Sequence, residues 1–141
     1  MPELVLIRGV PGSGKSTFAA RFYPHFRHFE ADQWMVDGDG NYSYNPDMLA
    51  YCHQRCLDST RDALAEGHNV VVSNTFTRLW ELGKYTELVP VMDQKIIRMT
   101  SQYENVHGVP KSVIDRMLRQ YEPHPIEISV PTQHHRAMPR R

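Results

Sequence analysis

Residues 9–16 read Gly-Val-Pro-Gly-Ser-Gly-Lys-Ser, the spacing G-x-x-x-x-G-K-[ST], directly after the apolar run Leu4-Val5-Leu6-Ile7. Glycines at this spacing let the backbone curl until successive N–H groups face one anion. The Lys15 ammonium can neutralise β- and γ-phosphate charge, and the Ser16 hydroxyl is a hard oxygen suited to Mg2+. The positive end of a following helix completes the anion site. The pattern predicts ATP or another nucleoside triphosphate with Mg2+, held by Gly9, Pro11, Gly12, Ser13, Gly14, Lys15, Ser16 and Thr17.

Other residues have the chemistry to act on such a ligand. Asp32 closes a segment read as the second strand. A carboxylate there lies in the crevice where open α/β sheets bind ligands, and it can take a proton or hold metal through water. Capping the following turn is the structural use of the same side chain. Ser73, Asn74 and Thr75 close the run Val70-Val71-Val72, where many P-loop enzymes place an aspartate for Mg2+. No acid stands there, so either Ser73 and Asp32 suffice through water or metal binding and turnover are weak. Arg98, Arg116 and Arg119 are the candidate cations for a transferring phosphoryl group, for which one arginine is worth roughly 10³-fold or more. A solvated helix face, paired with Asp115 or Glu122, is the alternative for the last two.

These residues need a framework of alternating strands and helices. Strands are expected near residues 4–8, 28–31, 70–72 and 95–99, with helices near 15–23, 45–66, 79–88 and 110–121. Asn45-Pro46-Asp47 is a strong helix start, and Gly67 is a stop. Ile126-Glu127-Ile128-Ser129-Val130 alternates as an edge strand would. The fold class is α/β, a P-loop NTPase fold in which a small parallel sheet is covered by helices on both faces. The domain is assigned to residues 1–122, with 123–141 as an extension ending in a loosely ordered basic tail.

A chain of 141 residues suffices for one such domain. Lys+Arg and Asp+Glu both number 16, so no global field recruits nucleic acid or an anionic membrane. The acids are uneven, eight against two bases over residues 28–66. No apolar run approaches the ~18 residues that span a bilayer, and no signal-peptide pattern opens the chain, so a soluble, cytoplasmic protein is expected. Cys52 and Cys56, four apart on a helix, are expected as buried packing residues.

The chain resembles the polynucleotide-kinase-like P-loop kinases, related to the 5′-kinase domain of phage polynucleotide kinase. The resemblance covers residues 4–122. Besides the loop, it rests on Asp32-Gln33-Trp34, on Gly40-Asn41-Tyr42-Ser43-Tyr44-Asn45-Pro46, on Asn74-Thr75-Phe76-Thr77 with Trp80-Glu81, and on His107-Gly108-Val109-Pro110. It implies ATP-dependent transfer of the γ-phosphoryl group to a hydroxyl, most plausibly a polynucleotide or oligonucleotide 5′ end. In that family the acid matching Asp32 takes the acceptor's proton, the segment matching Asn74 and Thr75 meets substrate, and a basic position matches Arg116. The chain departs from the pattern in two places. Met35 stands where the phage kinase has an arginine on the substrate phosphate, and Tyr103 and Glu104 stand where lid arginines are usual. Two alternatives stand beside this reading: a nucleotide-binding regulator or weak ATPase, motivated by the missing acid at the end of the third strand and by Tyr103 and Glu104, and a small-molecule kinase of the sugar or antibiotic type.

Overall fold

The computed structural model describes residues 2–100 and 108–131. Five strands, β1 (Leu4–Arg8), β2 (Arg27–Phe29), β3 (Val70–Asn74), β4 (Gln94–Met99) and β5 (Ile128–Val130), form one parallel sheet in the order β2-β3-β1-β4-β5. The helices are α1 (Lys15–Phe22), α2 (Leu49–Ala65), α3 (Leu79–Thr86) and α4 (Lys111–Gln120). The expected α/β class and parallel sheet are therefore what forms. β1 lies at the centre, paired in register with β3 (Leu6↔Val72, Arg8↔Asn74) and with β4 (Leu6↔Ile96, Arg8↔Arg98).

Side chains alternate across the pleat, so each central strand supplies two cores. Leu4, Leu6, Val70, Val72 and Ile96 pack with Cys52, Cys56, Leu57 and Leu64 of α2 and with Leu82 and Tyr85 of α3. Val5, Ile7, Val71, Ile97 and Met99 pack with Phe18 and Ala19 of α1 on the other face. Cys52 and Cys56 are fully buried and unbridged, as their spacing suggested.

The element ends follow local chemistry. Asn45 Oδ1 accepts from the Asp47 N–H at 3.0 Å, and Pro46 opens a 3-10 turn over Pro46–Met48 that runs into α2. The helix therefore begins later than the expected residue 45. α2 ends in a Schellman arrangement: Gly67 adopts φ 89°, its N–H donates to Leu64 O, and the His68 N–H donates to Ala63 O. β2 is shorter than expected because Ala31 already belongs to a 3-10 turn, Ala31–Trp34. Ile114, Met117 and Leu118 are the apolar residues expected to be buried on the last helix; of these only Ile114 is, and Leu118 is exposed. No helix among the described residues is long and apolar enough to cross a membrane.

Candidate active site

The loop after β1 takes the shape its glycines permit. Gly12 and Gly14 sit at φ 85° and 91°, the left-handed region that side chains disfavour. A Cβ on Gly9 would overlap Ser13 Oγ and lie 3.0 Å from Met99 O, so only glycine lets the loop close on itself there. The Phe18 N–H donates to Gly14 O at 2.9 Å, so the N–H groups of Lys15, Ser16 and Thr17 precede the first intrahelical bond. No side chain caps this end of α1, and no acid lies in its first turn. Such an end is a ready anion site.

Lys15 Nζ reaches back across the loop to Val10 O at 3.2 Å. Burial lowers the pKa of this ammonium to about 8, against the opposing pull of the Glu30 and Asp32 carboxylates. Both acids therefore lie close enough to act on the lysine of the phosphate loop.

Glu30 is the residue the sequence reading missed. It follows β2 directly, and its Oε2 accepts from Ser73 Oγ at 2.7 Å and from Ser16 Oγ. His28 Nε2 lies 2.7 Å from Ser73 Oγ and 3.3 Å from Glu30 Oε2. Burial raises the Glu30 pKa, but the hydrogen bonds of His28, Ser16 and Ser73 outweigh it and hold the carboxyl at about 2. The period-two pattern was the available signal: His28 on the strand and Glu30 just past its end are two apart in extended backbone, a spacing that puts two side chains on one face.

Asp32 lies in the turn that follows. The turn is pinned to β3 by the Ala31 N–H, which donates to Asn74 Oδ1 at 2.9 Å. Asn74, expected to meet substrate, is buried and spends its amide on Ala31 and on Cys56 Sγ at 3.7 Å. The Thr75 carbonyl accepts from the Gly9 N–H at 3.3 Å, which joins that segment to the phosphate loop. Met35, also expected on the substrate side, is 1% exposed and packs in the core beneath α2. An apolar side chain so placed offers nothing to a substrate, and that expectation is corrected.

The cations are distributed differently from the reading. Arg98 stacks over the Tyr121 ring at 3.8 Å, with Arg8 over the same ring at 4.0 Å. Its guanidinium is thus engaged in a cation–ring stack. Arg116 and Arg119 are exposed on α4. The acids proposed to pair with them are engaged elsewhere, Asp115 by Lys111 at 2.8 Å and Glu122 by Arg78 at 3.5 Å. Tyr103, Glu104 and His107 lie outside the described residues.

Among the described residues no group of three or more His, Cys, Asp or Glu is arranged to hold a metal alone. Mg2+ needs no such cage, because it keeps waters and takes the remaining oxygens from substrate phosphates and one or two protein groups. Ser16, Glu30, Ser73 and Asp32 are all hard-oxygen side chains at one end of the sheet, a donor set that fits the ion.

A groove of about 280 Å³ opens between the N-terminal half of α2 and α3, lined among others by His53, Phe76, Trp80, Lys84 and Tyr85. Phe76, one of the lining residues, holds a left-handed conformation at φ 46°.

Comparison with known proteins places this geometry. An alignment 134 positions long with human NEDD4-binding protein 2 is 28% identical, and it covers 84% of this chain but only 8% of that protein. A gluconokinase structure from Sinorhizobium meliloti 1021 superposes with a TM-score of 0.63 at 19% identity, over 92% of this chain and 82% of that one. A chain of the Pnkp1/Rnl/Hen1 RNA repair complex superposes with a TM-score of 0.66 at 21% identity, over 84% and 43% respectively. These structural likenesses establish the P-loop kinase-like fold. A family model described as an AAA domain matches residues 4–97, more than half of the sequence, and the chain belongs to that family.

Proposed function

We propose that the protein is an ATP- and Mg2+-dependent kinase that moves the γ-phosphoryl group to a hydroxyl, the acceptor being the 5′-hydroxyl of a polynucleotide or oligonucleotide. The observation that carries this reading is the meeting of the phosphate loop with the carboxylates beyond β2: the Ser16 hydroxyl donates to Glu30, and Glu30 and Asp32 both favour the Lys15 ammonium.

The loop N–H groups and Lys15 bind the triphosphate and draw charge from the β- and γ-oxygens. Asp32 accepts the proton of the acceptor hydroxyl. That oxygen bonds to the γ-phosphorus as the bond to the β–γ bridging oxygen breaks, and ADP leaves with the bond's electron pair. Bound Mg2+ supplies further charge neutralisation across the phosphates, with Ser16 and Asp32 the residues that would hold it. Arg116 is the proposed cation from α4.

Tyr42 and Tyr44 support a base-bearing acceptor. Burial raises the Tyr42 phenol pKa, and Asp32 and then Tyr44 push it further, so Tyr42 has the proposed base on one hand and Tyr44 on the other within electrostatic reach. Tyr44 is 61% exposed. Stacking on such a ring is worth about 1–3 kcal/mol per base whatever its identity. The eight acids against two bases over residues 28–66 oppose a long polyanion, so a short end held by stacking fits better. The likeness to the RNA repair complex points the same way.

A second reading, transfer to a hydroxylated small molecule, is favoured by the groove between α2 and α3. Transfer of ³²P from γ-labelled ATP to a panel of 5′-hydroxyl oligonucleotide, nucleoside and sugar acids separates the two. The oligonucleotide is expected to take label, and Lys15→Ala is expected to abolish transfer. ATP binding without transfer to any acceptor would refute the kinase reading.

A further inference from the structure

We infer that Glu30, at the end of β2, supplies the metal-orienting carboxylate that the end of β3 lacks, acting as a positioning residue through Ser16 and Ser73. The inference rests on the reading of residues 9–16 as the binding site of an Mg2+-nucleoside triphosphate. Ser73 pairs in register with Ile7, close to the point where β1 enters the phosphate loop. A serine there carries no charge and is short. Glu30, arriving from the neighbouring strand, accepts a hydrogen bond from it at 2.7 Å and another from Ser16.

The direction of the second bond matters. A hydroxyl that donates its proton to a carboxylate keeps both oxygen lone pairs for a cation, and the nearby negative charge makes that oxygen a better donor. The chain thus meets with a β2 glutamate and a β3 serine the requirement that a single β3 aspartate serves in many P-loop enzymes. The competing role, a local brace in which Glu30 ties His28 to the 3-10 turn, makes a different prediction. A brace affects stability, and it leaves the metal dependence of nucleotide affinity unchanged.

The test is equilibrium binding of a fluorescent, non-hydrolysable ATP analogue to the full chain, in Mg2+ and in EDTA. The wild type is expected to bind more tightly in Mg2+. Glu30→Gln is expected to keep the EDTA affinity and to lower apparent Mg2+ affinity by about 10- to 100-fold. Glu30→Gln combined with Ser73→Asp returns an acid to the end of β3 and is expected to recover the Mg2+ effect. Thermal melting monitors folding, and if Glu30→Gln does not fold, Ser73→Ala decides, with a reduced Mg2+ effect expected. A wild-type Mg2+ response in the folded Glu30→Gln or Ser73→Ala protein overturns the inference. A wild type that binds nucleotide identically with and without Mg2+ overturns it too while sparing the nucleotide site. Failure of the wild type to bind nucleotide brings down the underlying reading.

Discussion

Lys15, proposed to bind the triphosphate, is expected to cost the fold stability. Its pKa of about 8 in the folded protein lies below the ordinary lysine value, so at neutral pH the fold carries an ammonium that burial disfavours. Lys15→Met is therefore expected to raise Tm, by roughly 4 °C for each kcal/mol recovered, while abolishing ATP binding; calorimetry and nucleotide titration read the two effects. The pH dependence follows in sign. Between about pH 8 and the unfolded-state value of 10.5 the folded protein sheds this proton and the unfolded chain keeps it. Wild-type stability should gain on that of Lys15→Met across this window, as denaturant titrations at each pH would show. Asp32 differs because its proposed work is on the acceptor. Asp32→Asn is expected to lower kcat by about 10²- to 10⁴-fold and to leave the affinity for metal-free ATP in place, measured by initial rates and by direct binding in EDTA.

The elements are tied together by one buried side chain. Arg8, the last residue of β1, is fully buried; its guanidinium donates to the Phe76 carbonyl through Nε at 2.9 Å and to Glu127 Oε1 through Nη1 at 2.8 Å. Tyr121 lies between Arg8 and Arg98 and donates its hydroxyl to Glu127 at 2.7 Å. Burial and then Glu127 push the Tyr121 phenol up, which keeps it a donor. Phe76 holds a left-handed conformation that costs about 1–3 kcal/mol, offset by the Arg8 hydrogen bonds to its carbonyl and by its edge-on contact with Tyr85 at 5.4 Å. Removal of Arg8 leaves Glu127 buried without its partner. Arg8→Met should cost about 3–5 kcal/mol in urea unfolding. Tyr121→Phe keeps the stack and loses one hydrogen bond to a carboxylate, at a cost of about 1.5–3 kcal/mol.

For the whole molecule, the segment after residue 122 enters the same sheet as the P-loop elements. β5 pairs in parallel with β4 (Arg98↔Ser129), and Glu127 anchors Arg8 beneath it. Truncation after Glu122 is expected to destabilise the entire domain, as a single shifted unfolding transition in calorimetry rather than the loss of a tail. ATP binding should act on the whole domain as well. At a hundred times its Kd the nucleotide adds about 2.7 kcal/mol to unfolding, and the Tm shift disappears in Lys15→Met.

The sequence by itself determined the phosphate loop, the strand-helix alternation and the burial of Cys52 and Cys56. These depend on local spacing: glycines that permit left-handed backbone, the period of apolar residues, and caps such as Asn45 and Gly67. Tertiary structure alone decided the partners of the loop. Glu30 meets Ser16 and Ser73 only because β2, β3 and β1 lie in that order, and Arg8 meets Glu127 only because β5 returns beside β4. Met35 left the substrate side for the core, and Asn74 became an anchor for the turn that carries Asp32. Contacts between residues tens of positions apart are set by sheet order and register, which local spacing does not encode.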